Sequence, residues 1–177
     1  MAKTMKIIAL TTLLLTISFT LLYKFIYNDI LLTFAITFGT IAYHFIIRLI
    51  IGTIINLIMK NKADYTKKWY YVGETEMRFY KKIGVKKWKS KMPTYNKDFF
   101  DTNKHSWNEI VGAMCQSELV HEVIVVFSFL PIIAYVWFGA FWVFVITSVC
   151  AAIFDMMFVF MQRFNRSRIL KMKTKLK

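Results

Sequence analysis

The apolar positions of the chain fall into four long runs, and the polar positions collect between them. From residue 7 to residue 27 the sequence reads "IIALTTLLLTISFTLLYKFIY", with Lys24 as its single charge. At about 1.5 Å rise per residue a helix needs about 20 mostly apolar residues to cross a bilayer core, and this run has that length. A second run, residues 30–58, follows after Asn28 and Asp29; a third covers 119–137 and a fourth 140–161. The pattern predicts an all-α integral membrane protein in which four transmembrane helices form two hairpins of a single membrane domain. The basic start of the first run also suits a signal peptide. No small-x-small cleavage site follows it and the second run comes at once, so it is read as a retained helix.

The segment between the second and third runs, residues 60–111, has a different texture. Lysines alternate there with Trp69, Tyr70, Tyr71, Phe79, Tyr80, Trp88, Tyr95, Phe99, Phe100 and Trp107. Lysines among aromatics next to membrane helices predict a face lying in the headgroup region, with the rings at the interface and the ammonium groups near anionic lipid. Bases also stack on aromatics in basic grooves, but no nucleic-acid-binding motif accompanies these residues and no nucleic-acid partner is expected. Within the segment "TEMRFYKKIGVKKW" has helical spacing through Met77, Tyr80, Lys81 and Trp88, weakened at Gly84, and Pro93 ends any helix before it.

Charge then adds orientation. The chain is 57% hydrophobic yet carries a formal charge of +14, which no ordinary soluble domain combines. Lys3 and Lys6, the 60–111 segment and a basic tail at 163–177 hold most of the lysine and arginine, whereas the turns at Asn28-Asp29 and Gly139 hold none. Positive residues stay on the cytoplasmic side, so both termini and the 60–111 segment are expected in the cytoplasm, in a multi-pass protein of the cell membrane. Cys115 and Cys150, far apart in sequence, are expected to be buried small hydrophobes.

Candidate chemistry sits at the mouth of the third run. Glu118 and His121 are three residues apart and share a helix face, while Glu122 lies about 100° round the axis from His121. The fourth run carries Asp155, then Gln162, Arg163, Asn165, Arg166 and Arg168 as it leaves the membrane; the second carries His44, Arg48 and Asn56. Ionisable side chains inside a membrane helix mark function by default, because desolvation must be offset by a partner or a wet cavity. Structural roles compete with that reading: His44 as a buried hydrogen-bonded histidine, Arg48 pairing with Asp155 or snorkelling, Asn56 bonding a neighbouring helix, Glu122 facing headgroups.

Several chemistries lack their residues. A Glu-x-x-His unit serves two-metal helices only beside a second such unit, and "HEVIV" lacks the last histidine of the zinc-protease helix. No Gly-x-Ser-x-Gly elbow, phosphate-binding loop or Cys-x-x-Cys pair is present. A histidine oriented by a carboxylate remains, and such a pair can take the proton of a hydroxyl as it attacks an ester or thioester. Two other classes stay open: a non-catalytic lipid-binding or assembly protein in which Glu118, His121 and Arg163 fix helix packing, and a metal-dependent membrane enzyme.

Glu118-Leu119-Val120-His121, Pro131 and above all "MQRFNRSRIL", Met161 to Leu170, resemble the C-terminal part of the small membrane acyltransferases typified by glycosyl-diaponeurosporenoate acyltransferase. In that family a Glu-Leu-x-His sequence opens a membrane helix and the last helix ends in Gln-Arg-Tyr-Asn-Arg-Pro-Arg-Leu. "FYKKIGVKKWKSKMP", Phe79 to Pro93, is similar to the aromatic and basic stretch that precedes them. Phe164 stands where the family has tyrosine, Ser167 where it has proline, and Glu122 is an addition. The resemblance implies transfer of a fatty acyl group, from acyl-CoA as co-substrate, to a sugar hydroxyl of a glycosylated lipid such as a carotenoid glycoside, or of another amphipathic acceptor. The clustering of these polar residues then makes His121 the expected general base, with Glu118 fixing its tautomer. Gln162, Arg163 and Asn165 hold the oxyanion or a donor headgroup, and Arg166, Arg168, Lys86, Lys87 and Lys89 bind phosphates. Glu122, Asp155, His44, Arg48 and Trp88 complete the candidate substrate-binding set. No metal and no further cofactor is expected; the partners are membrane lipids.

Overall fold

A computed structural model describes residues 2–93 and 98–175. Tyr95, one of the aromatics expected at the interface, lies outside the described residues. The structure is 84% helix with no strand among the described residues, which makes the fold all-α. Its helices are α1 (Ala2–Ile26), α2 (Asp29–Met59), α3 (Glu74–Lys82), α4 (Val85–Trp88), α5 (Trp107–Phe127), α6 (Tyr135–Phe138) and α7 (Phe141–Lys175), with short 3-10 turns between several of them. Four helical spans, Lys3–Ile26, Asp29–Met59, Trp107–Phe138 and Phe141–Lys173, are long and apolar enough to cross a membrane.

Two of these spans exceed what hydropathy alone suggests, each for a local reason. The third begins twelve residues before Leu119, at Trp107, because Ser106 and Glu109 form a capping box: the Ser106 amide donates to Glu109 Oε2 at 2.8 Å and the Glu109 amide to Ser106 Oγ at 3.4 Å. The fourth runs on to Lys175, so the expected tail is helical through the described residues. No glycine or proline occurs from Phe141 to Lys175, and Ser167 in place of the resembled proline leaves the backbone ladder unbroken.

The chain forms two compact units, Met1–Gly52 with Val123–Phe154, and Thr53–Glu122 with Asp155–Lys177. In the first, Phe19 of α1 stacks on Phe34 and Phe38 of α2 at 5.2 and 5.5 Å, and a Cβ at Gly39 would lie 3.4 Å from Thr16, so these helices meet through small and aromatic residues. Large apolar side chains such as Leu10, Phe25 and Trp137 point outward, as lipid-facing helices require. Cys150 is exposed on α7; of the two cysteines expected to be buried, only Cys115 is.

Pro131 breaks the third span after Phe127, because it has no amide hydrogen for the Phe127 carbonyl four residues back. The Tyr43 hydroxyl, from α2, donates to that carbonyl at 2.9 Å. A neighbouring helix thus satisfies a group that lipid cannot. Tyr43→Phe removes the donor and keeps the ring, and is expected to lower stability in detergent by about 1–3 kcal/mol, read as a lowered unfolding midpoint.

The second unit holds residues 60–111 and the polar part of α7. The helix expected around Met77 and Trp88 is present as α3 and α4, divided at Gly84, whose φ of 70° places it in the left-handed region. Met77, Tyr80, Val85 and Phe164 make one core, flanked by Val72, Trp88 and Phe160. Ala63, Tyr70 and Cys115 make another. Gly112 lets α5 approach the 61–63 backbone: a Cβ there would meet the Asn61 carbonyl at 3.0 Å. Asn56 bonds a neighbouring helix, as its structural reading expects, accepting from Gln116 of α5 at 3.1 Å; Gln116 in turn accepts from the Asn61 amide at 2.6 Å.

Candidate functional site

Inside the second unit, α5 and α7 face each other along a polar seam. Asp155, Phe158, Gln162 and Arg166 recur at steps of three and four, which puts them on one stripe of α7. Ser117, Glu118 and His121 supply the facing side of α5: Gln162 donates to Ser117 Oγ at 3.1 Å, and His121 Nδ1 lies 2.8 Å from Asp155 Oδ1. Asp155 is fully buried, whereas the His121 side chain is 19% accessible. The imidazole stacks on Phe158 with centroids 4.4 Å apart and planes 5° from parallel. An ionised carboxylate at this position would accept the Nδ1 hydrogen and leave the lone pair on Nε2. The ring is held between Asp155 and Phe158 and remains partly accessible.

Glu118, expected beside His121, has different partners. Its side chain is fully buried; Oε1 accepts from Arg163 at 2.6 Å and Oε2 accepts from Arg166. Two guanidiniums from the opposite helix outweigh one imidazole three residues along the same helix, because two charge-assisted hydrogen bonds offset the desolvation of a buried carboxylate better than one. Arg163 also donates from Nε to Glu76 Oε1 at 2.5 Å, from Nη2 to Glu76 Oε2 at 3.2 Å and to the Tyr71 carbonyl at 3.0 Å, and from Nη1 to the Trp69 carbonyl at 3.1 Å. All three of its nitrogens are engaged. Arg166, buried, donates to the Tyr70 carbonyl at 2.7 Å and lies over the Tyr70 ring at 5.2 Å. Glu76 and Glu118 balance Arg163 and Arg166, and the cluster fastens residues 69–71 to the 163–166 turn of α7.

Around that cluster, burial pulls the Glu76 carboxyl upward, but hydrogen bonds from Arg163 and Tyr80 and the two arginine charges outweigh it and hold the group below its ordinary value. Burial, and then the Glu76 carboxylate to which its hydroxyl donates, push the Tyr80 phenol far above its usual range. Neither Glu76 nor Tyr80 stands out in the sequence, because nothing in a run of α3 residues announces a contact with α7.

The remaining predicted residues divide clearly. Asn165 accepts from Lys89 at 2.5 Å; Glu122 accepts from the Trp69 indole at 2.8 Å; the Trp88 indole donates to the Ile83 carbonyl at 3.2 Å. His44 and Arg48 belong to the other unit. There His44 is buried with its ring edge-on to Tyr43, and Arg48 donates to the His44 carbonyl at 2.9 Å and lies over the Phe45 and Phe154 rings. Of the oxyanion candidates, Gln162 has one amide hydrogen on Ser117 and a second left to give. Among the described residues no group of three or more His, Cys, Asp or Glu side chains could hold a metal ion.

The family model for glycosyl-4,4'-diaponeurosporenoate acyltransferase matches residues 62–175, well over half of the chain. The chain belongs to that family. Membership makes it an acyltransferase by class, and the matched stretch contains His121, Asp155, the arginine cluster and α3 and α4. No curated protein and no solved structure matches the chain. The tyrosine-to-phenylalanine departure within the resembled motif is structural in this member: Phe164 is buried in the α3–α4 core, where a phenol would need a hydrogen-bond partner.

Proposed function

We propose that this member of the glycosyl-4,4'-diaponeurosporenoate acyltransferase family moves a fatty acyl group from acyl-CoA to a hydroxyl of a glycosylated or other amphipathic lipid, with His121 as general base and Asp155 as the residue that orients it. The observation that carries the proposal is the 2.8 Å contact of a partly accessible imidazole with a fully buried carboxylate, between two membrane-length helices. His121 Nε2 takes the acceptor O–H proton while that oxygen bonds to the thioester carbonyl carbon. The tetrahedral intermediate then expels the thiolate of CoA, which recovers the proton from the imidazolium, leaving an ester and a free thiol. Asp155 stabilises the imidazolium meanwhile, and the second amide hydrogen of Gln162 is available to the oxyanion. Under the positive-inside rule the site opens toward the cytoplasmic leaflet, where an acyl-CoA is met.

The reading as a non-catalytic binding or assembly protein draws support from the Glu118–Arg163–Arg166–Glu76 cluster, whose saturated hydrogen bonds suit packing. It gives no reason for a second, separate pair at His121 and Asp155. The two are told apart by incubating the purified protein with labelled acyl-CoA and a total polar-lipid extract. Label in a lipid with wild type, and none with a folded His121→Ala variant, supports the proposal. Equal transfer by both overturns the base assignment, and bound acyl-CoA without transfer by wild type favours the binding reading.

A further inference from the structure

Of the three arginines in "QRFNRSR", two form ion pairs within the chain and one forms none among the described residues. Arg163 and Arg166 are committed to Glu76, Glu118 and backbone carbonyls, but Arg168 is exposed and makes no ion pair or hydrogen bond among the described residues. Its guanidinium lies over the Phe164 ring at 5.7 Å, which holds the fork in position without using its donors. Arg168 lines a pocket of about 490 Å³ together with Lys81, Lys86, Lys87 and Lys171, over a floor that includes Met77 and Phe164. No acidic residue lines it among the described residues. Lys81, Lys86 and Lys87 form no ion pair among the described residues either.

The geometry points to a phosphate-binding site in this pocket, taking the phosphoryl groups either of the CoA carrier of the acyl donor or of an anionic lipid headgroup. Only the first source rests on the acyl-transfer reading above. Positive charge on the cytoplasmic side explains why lysines and arginines are present here, but not why two segments distant in sequence, Lys81–Lys87 and Phe164–Lys171, turn them toward one concavity. Like charges gathered so closely repel one another unless an anion joins them. Lys89 feels this crowding: burial, and then the charges of Arg168 and Lys86, lower its ammonium pKa. Gly84, left-handed at φ 70°, also lines the pocket and makes the turn that brings Lys86 and Lys87 back beside Lys81. The volume falls within the range of about 300–1,000 Å³ usual for small-molecule sites, more than one inorganic phosphate needs. Arginine supplies a bidentate contact and the lysines supply charge that can follow a flexible diphosphate.

The test uses full-length protein in zwitterionic detergent, with fluorescent CoA and phosphatidylglycerol as separate probes, the second read by native mass spectrometry against phosphatidylcholine. Arg168→Gln and the double variant Lys86→Gln/Lys87→Gln are expected to weaken the anion that binds by about ten- to a hundredfold, as loss of hydrogen bonds to a charged group implies. Lys86→Arg/Lys87→Arg is expected to retain it, and added salt to weaken it in wild type. Loss of CoA binding identifies the carrier; loss of phosphatidylglycerol alone identifies the headgroup; either supports the site. Wild-type affinity for both probes in folded Gln variants overturns it. A His121→Ala variant keeps the affinity of whichever probe the wild type binds if the pocket assignment holds, so failure of the catalytic proposal appears in turnover and failure of this one in binding.

Discussion

Asp155→Asn is expected to lower acyl transfer by about a hundred- to ten-thousandfold while acyl-CoA binding is retained. The carboxylate does two things that an amide cannot do together. It accepts the Nδ1 hydrogen of His121 at 2.8 Å, leaving Nε2 as the base, and its charge stabilises the imidazolium that forms when the acceptor is deprotonated. An asparagine can present its NH₂ to Nδ1, which moves the ring hydrogen to Nε2 and removes the base; it can also present its oxygen, but then without the charge. The loss should therefore fall on kcat more than on KM, because the interaction forms fully only as the proton moves. Single-turnover rates with labelled acyl-CoA, beside equilibrium binding of the donor, measure the split. Full activity in Asp155→Asn together with a dead but folded Glu118→Gln would return the orienting role to Glu118.

Glu118→Gln is expected to act differently, destabilising the protein by about 3–5 kcal/mol. Both Glu118 oxygens are buried under guanidiniums, and neutralising it leaves two arginines opposite a single carboxylate, Glu76. Arg166 is itself buried and has no water to turn to. At about 2–4 °C per kcal/mol for a chain of this size, the unfolding midpoint should fall by roughly 6–20 °C. Removing the stranded charge as well should restore part of the loss, since a buried pair replaced by apolar groups of similar volume is often neutral. Glu118→Leu with Arg166→Met is thus expected to melt above Glu118→Gln alone. A midpoint unchanged by Glu118→Gln would show that the cluster does not hold residues 69–71 to α7.

These two expectations separate what was legible in the sequence from what was not. The four apolar runs, the basic aromatic segment between the second and third, and a helix weakened at Gly84 all follow from local pattern, because hydropathy, helical spacing and a left-handed glycine act within a few residues. The capping box at Ser106 and Glu109 was equally local and readable, and it accounts for the early start of α5; hydropathy passed over it because capping residues are polar. The length of α7 was readable too, in the absence of glycine and proline beyond Phe141.

Partner choice was another matter. The sequence by itself placed Glu118 and His121 on one face at the mouth of the third apolar run, Asp155 in the fourth, and Gln162 and the arginines where that run ends. It could not determine which carboxylate meets the histidine, because spacing along one helix fixes direction but not what stands opposite. The tertiary structure decided that by setting α7 against α5, where Arg163 and Arg166 reach Glu118 and Asp155 reaches His121. It also decided that Arg163 and Arg166 bind protein while Arg168 faces a pocket, although the sequence suggests the same phosphate-binding role for Arg166 and Arg168. Coulomb attraction and hydrogen-bond geometry act through space, so these pairings follow from the packing of the helices and not from their order along the chain.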